Sequence, residues 1–107
     1  MIEREIWGSI TEFNDNYFTD WKTRHPVFYT NAIAGEVGEM CGITKKMAGG
    51  GTHFNKTEPK LIEESVDSLI YLVLLLESQG YSPDDFRRAF WDKLAILHER
   101  MENNSSR

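Results

Sequence analysis

The chain has 107 residues, enough for one domain, and its 40% hydrophobic and 27% charged content fits a folded globular protein rather than a disordered one. A net charge of -5 argues against a nucleic-acid-binding surface as the main function, and one cysteine, Cys41, excludes an internal disulfide and a thiolate metal cluster. The N-terminus has no apolar stretch of signal-peptide length, and the apolar run 69–76 is far too short to cross a bilayer, so a cytoplasmic protein with no membrane partner is expected.

The first segment, residues 1–25, places Ile2, Ile6, Ile10, Phe13, Tyr17 and Trp21 at steps of three and four, one helical stripe. It should end near Arg24-His25-Pro26, because the residue before proline disfavours helical angles. A second helix is expected from Pro26 to about Ala48, stopped by Gly49-Gly50-Gly51. Gly35 and Gly38 weaken that helix by roughly 0.5–1 kcal/mol each, which is reasonable where another helix or a ligand comes close. Cys41 lies among small and apolar neighbours and reads as a packed core thiol.

After a loop over residues 49–57, a third helix is predicted to begin near Thr57, with Glu58 and Pro59 in its first turn, and to end at Gln79-Gly80. The fourth has the clearest start: Ser82 as N-cap, Pro83 at the first helical position, then Asp84 and Asp85. Phe86, Phe90, Leu94, Leu97 and Met101 should form its buried stripe, and residues 103–107 should fray. No strand pattern stands out, so the fold class is all-α, a four-helix bundle in one domain. The third helix is apolar all round between residues 69 and 76 and needs covering on every side. A homo-oligomer that completes the bundle across a two-fold axis meets that need.

Two acidic pairs carry the chemistry. Glu36/Glu39 and Glu64/Asp67 both have i, i+3 spacing, which puts each pair on one helical face. Glu12/Asp15 and Glu99/Glu102 share the spacing but sit among polar residues and read as solvated. The central pairs lie in helix-core sequence, in Ala-Gly-Glu36-Val-Gly-Glu39-Met and in Glu63-Glu64-Ser-Val-Asp67-Ser-Leu. Two such helices side by side would offer four carboxylates. Unpaired they would repel; a hard divalent cation resolves the conflict. With no histidine or thiol partner at hand, oxygen ligands suit Mg²⁺ or Mn²⁺. A di-iron bundle would need Glu-x-x-His, and Lys22, Gly50 and Ala95 precede the three histidines by that spacing instead. Lys45 and Lys46, two turns past Glu39, could meet substrate phosphates or serve only the helix dipole.

Glu36-x-x-Glu39, Lys45-Lys46, a glycine-rich loop and then Glu64-x-x-Asp67 running into Leu69-Ile70-Tyr71-Leu72 resemble the MazG-like nucleoside triphosphate pyrophosphohydrolases, especially the small single-domain members of phages and bacteria. The match covers residues 32–101. The resemblance implies an all-α oligomer that uses Mg²⁺ (or Mn²⁺) to cleave a (deoxy)nucleoside triphosphate into the monophosphate and pyrophosphate, as in nucleotide-pool housecleaning. It maps Glu36, Glu39, Glu64 and Asp67 onto the metal ligands. Glu39 or Glu63 would accept the attacking water's proton. Lys45, Lys46 and Lys93 would hold the phosphates, and Trp21 or Tyr71 would stack on the base. The Lys-x-Asn pattern frequent in the family is absent, since Leu94 and Ala95 follow Lys93. A second function class therefore stays open: a non-catalytic helical module that binds nucleotide or a partner protein on the same fold.

Overall fold

The computed structural model describes residues 2–50 and 58–105. Among them are four α-helices and no strand: α1 (Ile2–Tyr17), a short 3-10 helix (Trp21–Thr23), α2 (Pro26–Gly49), α3 (Pro59–Ser78) and α4 (Pro83–Ser105). The expected helix start at Thr57 and residues 51–57 of the expected loop lie outside the described residues, as do the last two residues of the expected tail. No described helix is long and apolar enough to cross a membrane.

The first helix stops at Tyr17, eight residues before the proline-adjacent end expected for it. Its last turn is rich in side chains that compete for the backbone. Asn14 donates from Nδ2 to the Ile10 carbonyl at 2.8 Å, and the Phe18 N–H closes on the Asn14 carbonyl at 2.8 Å. The chain then turns, with the Trp21 N–H on the Phe18 carbonyl and the Thr23 N–H on the Asp20 carbonyl, both at 3.0 Å. Trp21 therefore leaves the α1 stripe and is driven inward, to 1% exposure. Its indole N–H donates to Asp15 Oδ1 at 2.8 Å, and its carbonyl accepts the Tyr29 hydroxyl. Trp21, Tyr29 and Leu74 form the buried core, with Ile10, Ile70, Tyr71 and Leu75 packed around it.

His25 caps α2 by accepting the Val27 N–H on Nδ1 at 3.1 Å, and Pro26 supplies the first helical position. The main packing surface lies between α2 and α3. They run antiparallel: Tyr29 meets Leu74 at one end, and Ser65 donates to the Met40 sulfur at 3.3 Å further along. α3 ends in a Schellman arrangement, the Tyr81 N–H on the Leu76 carbonyl at 3.0 Å and the Gly80 N–H on the Glu77 carbonyl at 2.9 Å. Gly80 has φ +91°, a conformation that side chains disfavour. The α4 start carries a reciprocal cap. Asp85 N–H donates to Ser82 Oγ at 3.2 Å, and Ser82 N–H donates to Asp85 Oδ2 at 2.9 Å.

Four expectations need correction. Cys41 is exposed, because α2 turns the face holding Gly38, Cys41 and Gly42 away from α3. Among the described residues nothing crowds Gly35 or Gly38, since a Cβ at either would meet none of their atoms within 4 Å. The tail does not fray at residue 103; with no glycine or proline to interrupt it, α4 continues to Ser105. Finally, α4 leaves the other helices after its first turns. Among the described residues, its start is secured by Arg4 on Asp84 at 2.7 and 2.8 Å and by Phe86 against Trp7 at 6.3 Å between ring centroids. Phe86, Phe90, Leu97 and Met101 are therefore exposed and Leu94 is half-buried, where a buried stripe was expected. The radius of gyration is 17.4 Å, against about 13 Å for a compact chain of this length. The four helices do not close a bundle within one chain.

The Schellman end sets the α3–α4 turn. Gly80→Ala should therefore destabilise the protein by about 1–2 kcal/mol through the left-handed backbone alone. Urea unfolding at constant slope should show it as a lowered midpoint; an unchanged midpoint would show that the turn carries no such constraint.

Candidate metal centre and adjoining groove

The antiparallel packing of α2 on α3 brings the two acidic pairs together. Carboxylate oxygens of Glu36, Glu64 and Asp67 lie within 4.8 Å of one another. Glu36 and Glu64 are half-buried, while Asp67 is exposed. One oxygen of each half-buried member, Glu36 Oε2 and Glu64 Oε2, is shut off from solvent and has no hydrogen-bond partner among the described residues. Glu39 stands against Glu64, beside the three-way meeting rather than in it.

Crowded carboxyls of one sign titrate as a coupled set. Glu39 is raised above the ordinary carboxyl range, first by the hydrogen bond it makes with Glu64 and then by the charge of Glu64; Lys60 pulls it back. Glu64 is raised as well, first by its hydrogen bond to Glu36, with Glu39 acting in the opposite sense and burial adding to the rise. Two solvent-excluded oxygens with nothing to bond and a donor set made only of carboxylates fit a hard divalent cation. Glu36, Glu64 and Asp67 are the residues placed to hold it.

Asp67 also lines a groove of about 510 Å³ between α1, the turn residues Phe18 and Arg24, α2 and α3. Its walls are largely aromatic, with Phe13, Phe18, Phe28, Tyr29 and Tyr71. Arg24 lies over the Phe28 ring, 4.6 Å from its centroid. Asn14, 8% exposed, is the buried polar residue of the wall. One N–H of its amide is tied to the Ile10 carbonyl, and no described residue donates to its Oδ1. The groove has room for a planar, partly polar guest, and its Asp67 corner adjoins the acidic cluster.

The other residues singled out in the sequence fall in different places. Tyr71 lines the groove, but Trp21 is sealed in the core and does not. Glu63 is exposed on α3, outside the three-carboxylate meeting. Lys45 and Lys46 are exposed near the end of α2. Lys93 is exposed on the part of α4 that has left the bundle. Three residues went unnoticed in the sequence. Lys60 sits one turn before Glu64, an i, i+4 pair that could have flagged it. Arg24 and Asn14 carry no local signal; they meet only because the 3-10 turn folds back. No family model matches the chain, and no curated protein or solved structure matches it.

Two outcomes follow. The raised carboxyls mean that the folded, metal-free chain holds protons the unfolded chain has released. Its stability should therefore fall as pH rises from the ordinary value near 4.5 through the raised values. Glu64→Gln removes much of that linkage, so its melting temperature should gain on the parent's between pH 4.5 and neutrality; a constant gap would contradict the crowding. Second, Mg²⁺ at 100 times its dissociation constant should stabilise the fold by about 2.7 kcal/mol. Alanine at Glu36 or Asp67 should abolish the response in a thermal-shift titration, and a parent chain indifferent to millimolar Mg²⁺ and Mn²⁺ would remove the metal site.

Proposed function

We propose that the protein is a Mg²⁺-dependent nucleoside triphosphate pyrophosphohydrolase of the MazG-like kind, working as a homo-oligomer in nucleotide-pool housecleaning. The observation that carries this reading is the double position of Asp67: one wall of an aromatic groove and one corner of a carboxylate cluster. A nucleotide has that same division, a flat base at one end and a phosphate chain that needs cations at the other.

Glu36, Glu64 and Asp67 would hold Mg²⁺, which supplies charge neutralisation for the phosphates and a more acidic water. Glu39 is the better proton acceptor of the two candidates. It borders the cluster and its affinity for protons is already raised, which brings it nearer to a working base at neutral pH. Glu63 is exposed on α3, outside the cluster. The water oxygen bonds to the α-phosphorus, the bond from that phosphorus to the bridging oxygen breaks, pyrophosphate leaves, and the proton goes to Glu39. Lys60, beside Glu39, joins Lys45 and Lys46 as a source of positive charge for the phosphate tail. In the groove, Tyr71 and its aromatic neighbours would stack on the base.

A panel of all ribo- and deoxyribonucleoside triphosphates with Mg²⁺, run in ¹⁸O-water and weighed by mass spectrometry, tests the reading. Label should appear in the monophosphate with intact pyrophosphate released. Glu39→Gln should lower kcat by at least 100-fold with helicity retained, whereas Glu102→Gln should leave it unchanged. Label in pyrophosphate, or orthophosphate as first product, would overturn the mechanism. Saturable nucleotide binding with no turnover would favour the non-catalytic module.

A further inference from the structure

The surface that α4 abandons and the surface that α4 presents are complementary. The chain exposes 8194 Å², against about 6,100 Å² for a compact protein of 12.4 kDa. The surplus of about 2,000 Å² per chain is on the scale that obligate dimers bury. Two exposed apolar surfaces stand out on the chain.

One is a trough along α1 and α3. It consists of two adjoining hollows of about 300 and 230 Å³ that share Ile6 and Leu69 and run from Val66 to Phe86. Ile6 and Val66 remain 43% and 47% exposed. Glu5 lines the trough, and Glu12, seven residues on, falls on the same flank of α1. The other place is the outer length of α4, where Phe90 and Leu97 are 49% and 41% exposed on one stripe with Leu94. Lys93 and Arg100 flank that stripe on one side, again seven residues apart. None of these four charged residues makes an ion pair with the described residues. The chain thus carries an apolar stripe with a basic shoulder and an apolar trough with an acidic shoulder of the same period.

We propose that α4 is exchanged between two copies of this chain: Phe90, Leu94 and Leu97 of each seat in the α1–α3 trough of the other, with Lys93 and Arg100 against the partner copy's acidic flank. The assignment rests on the homo-oligomer reading above and specifies which surfaces meet. It is independent of what the carboxylate cluster binds. The second copy is favoured over an unrelated partner because both halves of the match, and the area for a stable dimer, are present on one chain. Trough and stripe occur once per chain, so a two-fold axis satisfies both at once.

Sedimentation velocity of the full chain at micromolar concentration tests it. The parent should run as a dimer or a larger even assembly. Lys93→Glu with Arg100→Glu should weaken association at least tenfold, as should Glu5→Lys with Glu12→Lys. The four changes combined should restore it. The rescue arm decides, because recovery needs the two flanks to meet, whatever each reversal does to its own helix. A monomeric parent would overturn both this inference and the oligomer reading. An oligomer untouched by either reversal, or weakened by both but not rescued by the combination, would overturn the exchange and leave the oligomer reading standing.

Discussion

The antiparallel pairing of α2 with α3 sets where every other part of the molecule can lie. One end is clamped by Trp21, Tyr29 and Leu74, where burial pushes the Tyr29 phenol upward and its hydroxyl is committed to the Trp21 carbonyl. Further along, the same pairing forces Glu36 against Glu64 and Asp67. Packing supplies the stability and the carboxylates oppose it. A helix pair that packs well while holding like charges in contact is poised for a counter-charge, and the binding of that charge adds to the stability of the fold.

Such opposition is affordable only where the helix ends are secure. His25 and Pro26 start α2, the Schellman end stops α3, and the Ser82–Asp85 box starts α4. These local devices leave the middle of α2 free to carry Gly35 and Gly38, poor helix formers, beside the acidic residues. Both are exposed on α2 with none of the described residues within 4 Å of a Cβ there, so they keep that face slim rather than relieve a clash among those residues.

Much of this was legible in the sequence, for reasons that differ by region. The α4 start was plain because capping is local chemistry: Ser82, Pro83 and Asp85 need no distant partner to act. The meeting of Glu36 with Glu64 and Asp67 was legible because i, i+3 spacing fixes a face and two helices leave few ways to pair. The end of α1 was not. The apolar steps ran smoothly on to Trp21, and the hydrogen bonds at the end of α1, Asn14 on the Ile10 carbonyl and the Trp21 N–H on the Phe18 carbonyl, leave periodicity untouched. The same miss hid Arg24 and Asn14, since the groove exists only because the chain turns there. The α4 stripe was legible as apolar, and the single chain leaves it exposed; hydrophobic period reports that a face needs cover and says nothing about whose atoms provide it.

The groove and the carboxylate cluster share a single residue, Asp67. Half of the groove's wall comes from α1 and the turn that follows it, and the rest of the cluster comes from the α2–α3 pair. Variation in the first two elements can thus reshape the guest's flat end while leaving the reactive end untouched, and the converse also holds. Lineages carrying this fold have a ready route to new preferences: drift in Phe13, Asn14, Phe18 and Arg24 is uncoupled from the acids, whereas any change at Asp67 is felt on both sides and should be the slowest to be accepted.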